Sequence, residues 1–264
     1  CGIAVKSEDG EYELLSGNEV GVLLLDFICS QRIKNNTMPA HPIFVKTIVT
    51  TDLAEKVANY YGVKTVNVLT GFKFIGEVIS LLEKEERESD YICGIEESYG
   101  YLTGTYIRDK DGVNAAFMIC EMMAYYRTHG SSLIKELNRI YKMFGYCLNT
   151  LHSFFFEWTC SFNKMKDIMD KFRRDMNAIG NKKIISVIDY KNGVDGFPKS
   201  DVIKYELENQ CSVVIRPSGT EPKIKVYISI IDDSRSAANV TENYILDELK
   251  KFLVWNEEDT ILKE

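Results

Sequence analysis

The order in which β-rich runs and helical patterns follow one another constrains this chain more than any other feature. From residue 16 to about residue 145 the two alternate, a rhythm that builds parallel strands joined by crossover helices; from about residue 146 the strands cluster, which marks an antiparallel α+β unit. Ser16 and Glu19 form a Ser-x-x-Glu capping box ahead of Val20, Leu23, Leu24 and Phe27, predicting a helix to about Gln31. Strands are expected at 43–49, 63–69 and 91–95. Asp52 is expected to cap a short helix that Gly62 ends, and Phe72, Ile75, Val78, Ile79 and Leu82 recur at helical spacing in the next connection. Asp111-Gly112 opens a long helix through Tyr126, and another runs to about Phe144. The second half reads as a strand at 148–156, a helix at 164–176, strands at 183–189, 202–207, 212–215 and 224–230, and a terminal amphipathic helix carrying Ile245, Leu249 and Phe252.

Composition narrows the classes. A chain of 264 residues holds one large or two ordinary domains. Its net charge of -7 supplies no global positive field for a polyanion, so no nucleic-acid partner is expected. The longest apolar runs, such as 20–28, fall short of the ~20 residues of a membrane span, so no membrane partner is expected either. Seven widely spaced cysteines without a Cys-x-x-Cys argue against a disulfide framework or a zinc knuckle and read as thiols of a reducing cytoplasm. The N-terminus has no Met and no leader and opens into the strand-like stretch 2–5, which reads as a cut inside a longer chain.

Three loops at strand ends carry groups suited to chemistry, the place where ligands collect in open α/β sheets. In Thr70-Gly71-Phe72-Lys73 a Gly lets the backbone approach a ligand and a Lys sits in the first helical turn, which favours an anion; a plain turn with a solvated Lys fits the same residues. In Glu96-Glu97-Ser98-Tyr99-Gly100 adjacent carboxylates and a hydroxyl can grip neighbouring sugar hydroxyls, or simply form a polar loop. Arg216-Pro217-Ser218-Gly219-Thr220-Glu221-Pro222 is the most informative: a guanidinium fork, two hydroxyls and an approachable Gly make a phosphate cradle, with Lys223 and Lys225 adding charge on one strand face. A Pro-Gly hairpin turn is the plain alternative. Asp109-Lys110-Asp111-Gly112 lacks the further ligands of a calcium loop, so Asp111 reads as a helix cap.

These loops, together with Arg108-Asp109-Lys110-Asp111-Gly112, occur in the order seen in the α-D-phosphohexomutases, and the chain most resembles bacterial phosphoglucomutase/phosphomannomutase proteins. The resemblance implies an α/β fold: residues 1–15 as the tail of a second domain, 16–147 as a third, three-layer αβα domain, and 148–264 as a fourth, α+β domain of the TATA-binding-protein-like type. It implies that Glu96 and Ser98, with Thr70, Gly71, Lys73 and Lys110, hold the sugar, and that Arg216, Ser218, Gly219, Thr220 and Lys225 grip the phosphate. It also implies an isomerase. In the family a phosphoserine passes its phosphoryl group to a hexose phosphate, the bisphosphate turns around, and the other phosphate returns to the serine, interconverting hexose 1-phosphate and hexose 6-phosphate. The family's phosphoserine and its Asp-x-Asp-x-Asp-Arg Mg²⁺ loop match nothing in this sequence. The expected partners are therefore a hexose phosphate and upstream domains of the same polypeptide. Mg²⁺ and a glucose 1,6-bisphosphate activator belong to a longer parent, and this chain alone is expected to be inactive. A non-catalytic sugar-phosphate-binding module is the alternative.

Overall fold

The computed structural model describes residues 1–7, 9–156, 161–194 and 196–253. It divides into two compact units, 1–144 and 145–264. Cys160, one of the seven cysteines, and residues 254–264 of the expected fourth domain lie outside the described residues.

The first unit opens with an antiparallel pair, β1 (Ile3–Lys6) and β2 (Tyr12–Leu15). Helix α1 (Gly17–Lys34) then starts with the predicted box: Ser16 Oγ accepts from the Glu19 amide at 3.3 Å and Glu19 Oε2 accepts from the Ser16 amide at 2.8 Å. Its apolar residues are not confined to one stripe. Val22 and Leu25 are buried as well as Val20, Leu23, Leu24 and Phe27, so α1 is enclosed on all sides, packing on β5, α2, α4 and α5. Its Asp26 is buried too, accepts from Tyr61 Oη at 2.9 Å and pairs with Arg139.

The sheet beside it runs β4-β3-β5-β6, comprising β3 (Ile43–Thr47), β4 (Lys64–Val68), β5 (Tyr91–Glu96) and β6 (Gly100–Leu102). The first three strands are parallel and linked by α2 (Leu53–Tyr60) and α3 (Phe72–Lys84). Ile43, Val45, Val68, Tyr91 and Leu102 pack with Phe72, Ile75, Ile79 and Leu82 of α3. Helices α4 (Gly112–Thr128) and α5 (Leu133–Phe144) follow, and Asp111 caps α4 by accepting from the Val113 and Asn114 amides at 2.8 and 3.1 Å.

Two expectations are corrected here. Asp52 makes no side-chain cap to α2; its carboxylate is drawn 3.1 Å from the ammonium of Lys46, and the Thr51 hydroxyl accepts from the Leu53 amide instead. A lysine buried in a strand outbids a helix terminus for a carboxylate, because an uncompensated charge there would cost far more than a missing cap. The sheet also gains an antiparallel edge, since β6 folds back on β5 with Glu96 opposite Gly100. Three residues are too few to show a period.

The second unit is a six-stranded antiparallel sheet in the order β7-β12-β11-β10-β9-β8. Its strands are β7 (Tyr146–Phe155), β8 (Ala178–Ile179), β9 (Lys182–Asp189), β10 (Ile203–Leu207), β11 (Cys211–Pro217) and β12 (Lys223–Asp232). Helices α6 (Ser161–Asp175) and α7 (Arg235–Leu253) cover it. Met165, Ile168 and Phe172 of α6 and Ile245, Leu249 and Leu253 of α7 share one core with Ile203, Val213, Ile215, Val226 and Ile228. This is the α+β arrangement that clustered strands predict. His152 finds a carboxylate ninety positions away: its Nε2 lies 2.9 Å from Glu242 Oε1 on α7.

Candidate functional site

In the first unit the β4–α3 turn, the β5–β6 hairpin and the segment before α4 supply one cluster. Gly71, at φ 116°, makes the turn into α3, a conformation that favours glycine. Its amide donates to the Glu96 carboxylate. Glu96 ends β5 half-buried; burial raises its carboxyl above the usual carboxylate range, the charge of Glu97 adds to that, and Lys110 and the Gly71 amide pull it back. Gly100 is the floor on which these meet. A Cβ added there would lie 3.2 Å from Lys110 Cδ and 3.3 Å from Glu96 Cβ, tighter than ordinary packing. The Lys110 ammonium lies 3.1 Å from Asp109 and 5.9 Å from the centre of the Phe72 ring.

The other predicted residues of this unit are placed less centrally. Thr70 is half-buried at the turn; Lys73 is exposed on the first turn of α3, with its ammonium 4.7 Å from the centre of the Phe74 ring. Ser98 is exposed at the hairpin, followed by Tyr99 at φ 61°. Glu97 does not join Glu96 in facing outward. Its Oε2 accepts from Thr47 at 3.0 Å and from Thr50 at 3.2 Å.

In the second unit the loop between β11 and β12 is a closed turn. The Ser218 amide donates to the Lys223 carbonyl at 2.8 Å, and the Ser218 hydroxyl, itself buried, accepts from the Thr220 and Glu221 amides at 3.4 and 3.3 Å. Arg216 and Lys225 are half-buried and directly opposite each other in the β11–β12 register. Gly219 and Thr220 are exposed at the tip, and a Cβ added to Gly219 would meet no atom within 4 Å. Lys223 is buried rather than presented: its ammonium lies 2.8 Å from Glu221 and 4.9 Å from the centre of the Phe155 ring. It holds the turn shut.

Residues 16–142 match the family model described as phosphoglucomutase/phosphomannomutase, alpha/beta/alpha domain III. The phosphoglucomutase of Staphylococcus aureus (strain USA300) is 34% identical over 241 residues, covering 87% of this chain and 42% of the relative. Residues 16–142 belong to the phosphoglucomutase/phosphomannomutase domain III family. The chain spans less than half the length of the curated phosphoglucomutases it matches. Among solved structures, the Paramecium phosphoglucomutase pp63/parafusin in its open form aligns with a TM-score of 0.65 at 17% identity, covering 94% of this chain and 44% of that one. The N-acetylphosphoglucosamine mutase of Aspergillus fumigatus in complex with glucose 1,6-bisphosphate aligns at 0.51 and 12% identity, covering 95% and 46%.

Asp109 is engaged with Lys110 and Asp111 with the α4 amides, and among the described residues no group of three or more His, Cys, Asp or Glu side chains could hold a metal ion. These residues do not fit Mg²⁺. Six cysteines, Cys1, Cys29, Cys93, Cys120, Cys147 and Cys211, are free thiols, and among the described residues no helix is long and apolar enough to cross a membrane.

Sequence reading missed Thr47, Thr50, Gly17 and the clamp by Lys223. Thr47 and Thr50 lie 50 and 47 positions from Glu97, at and just past the end of a strand read only as buried, and a run of threonines carries no mark of its partner.

Proposed function

We propose that this chain supplies the sugar-reading and phosphate-gripping parts of a phosphoglucomutase/phosphomannomutase, the isomerase that interconverts hexose 1-phosphate and hexose 6-phosphate. One observation carries the reading: Arg216 and Lys225 stand opposite each other beside a turn whose buried Ser218 and open Gly219 leave an approachable backbone. Residues opposite each other in a β-ladder share a face, so this guanidinium and this ammonium can both donate to one anion. The open space above Gly219 leaves room for a ligand to approach its backbone.

In this role Arg216, Ser218, Gly219, Thr220 and Lys225 bind the phosphate that is not reacting, while Glu96 and Ser98, with Thr70, Gly71, Lys73 and Lys110 around them, accept and orient hexose hydroxyls. They position the substrate and do not transfer the group. The transferred phosphoryl, the phosphoserine and Mg²⁺ belong to upstream domains of the same polypeptide, the bisphosphate intermediate serves as activator, and the free thiols fit a cytoplasmic protein.

Calorimetric titration of the chain with glucose 1-phosphate, inorganic phosphate and glucose tests this, at low salt because the attraction is partly screened. Phosphate-dependent binding that Arg216→Ala abolishes supports it. Equal binding by Arg216→Ala overturns it.

A further inference from the structure

The sugar-reading hairpin is held by a buried polar network that its own sequence does not reveal. Successive residues at a strand end face opposite ways, so while Glu96 meets Gly71 and Lys110, Glu97 turns toward β3. There Thr47 and Thr50 are 0% and 2% exposed, and their hydroxyls are 2.9 Å apart, each within reach of Glu97 Oε2. Two hydroxyl protons are shared among these contacts and a longer one from Thr50 to the Ile95 carbonyl at 3.5 Å; when either threonine donates to the other, the second hydroxyl still has its proton for the Glu97 carboxylate, which only accepts. The threonines are fixed in turn. Lys46, fully buried, donates to the Thr50 carbonyl at 3.0 Å and is 3.1 Å from both Asp52 and Glu55. The backbone of Glu97 is pressed by α1: a Cβ on Gly17 would stand 2.0 Å from the Glu97 carbonyl oxygen, and the Asn18 side chain accepts from the Thr51 amide at 2.9 Å. The turn also carries Tyr99 at positive φ, a conformation that persists only where its surroundings impose it.

We propose that Glu97 is the positioning residue of the sugar-reading hairpin: anchored by Thr47 and Thr50 at the end of β3, it sets the β5–β6 turn and thereby where Glu96 and Ser98 meet hexose hydroxyls. This rests on the hydroxyl-reading role of Glu96 and Ser98 given above. Glu97 itself touches no substrate, so its substitution acts on placement and not on phosphate affinity.

The test combines a ligand-free and a ligand-bound measurement on the chain. Hydrogen exchange followed by NMR is expected to show amides 98–102 exchanging about tenfold faster in Glu97→Ala and in Thr47→Val/Thr50→Val, with those of the second unit unchanged and protection restored in Thr47→Ser/Thr50→Ser. In titrations, both loosened variants are expected to lose about tenfold of the preference for glucose 1-phosphate over inorganic phosphate while phosphate itself binds as before. Wild-type protection of the hairpin in Glu97→Ala, or an unchanged preference, overturns the proposal. Should Glu97→Ala fail to fold, the valine and serine pairs give the same decision. Glu96→Ala separates the two readings: if it leaves the preference intact, the hydroxyl-reading role falls and this proposal with it; if it removes the preference and Glu97→Ala does not, only the positioning role falls.

Discussion

Arg216 and Lys225 face each other across β11 and β12, the guanidinium and the ammonium at one register position beside the turn closed by Lys223. In the role proposed for them, the second unit should report anions. Inorganic phosphate at a hundredfold excess over its Kd is expected to stabilise that unit by about 2.7 kcal/mol, read as a rise in Tm that shrinks with added salt. Arg216→Ala should show no such rise.

Glu96 should make sugar recognition sensitive to acid at an unusually high pH. Burial and the neighbouring Glu97 raise its carboxyl above the ordinary 4.5, so the accepting, ionised form is lost earlier as pH falls. The folded chain binds this proton more tightly than the unfolded one, so between 4.5 and the raised value stability declines as pH rises while sugar preference improves. Titrating the Glu96 carboxyl by NMR in the chain and in Glu97→Gln checks the cause: the variant should titrate at lower pH.

Gly17 and Gly112 should respond oppositely to alanine. A Cβ at Gly17 collides with the Glu97 backbone, which cannot swing aside as a side chain would, and Gly17→Ala is expected to cost about 1–3 kcal/mol. Gly112 opens α4 with no atom within 4 Å, so Gly112→Ala should be neutral or gain up to about 1 kcal/mol. Chemical denaturation of both variants decides it.

Lys46 should be costly to truncate. Burial opposes its charge, and Asp52 and Glu55 more than offset that, holding the ammonium protonated above its ordinary 10.5. Its stabilising contribution is therefore complete below about 10.5 and is lost as pH rises through the higher folded value. Lys46→Ala is expected to cost about 3–5 kcal/mol and Lys46→Met less, because the methionine fills the space and both carboxylates keep partial access to water. Urea unfolding at neutral pH measures both.

What the sequence made legible was local. The Ser16–Glu19 box and the Asp111 cap are readable because donor and acceptor lie within four positions, and the strand and helix rhythm survives because each period is short. The motif residues of the two loops were visible for the same reason. What stayed hidden joins distant positions: Asp52 leaves its helix for Lys46, Glu97 leaves Glu96 for Thr47 and Thr50, and Lys223 turns from ligand to clamp once Glu221 and Phe155 close on it. In each, a buried or half-buried charge chose its partner after the chain had folded, a choice that no local pattern encodes.

The enclosure of α1 on every side sets a problem of timing. Its cover includes β5, α4 and α5, and the last of these ends 110 residues downstream of Lys34. At a synthesis rate of roughly 5–20 residues per second, the ribosome releases this apolar helix on the order of 5–20 seconds before its last covering element exists. During that interval the faces of α1 that α4 and α5 later cover stay open to water.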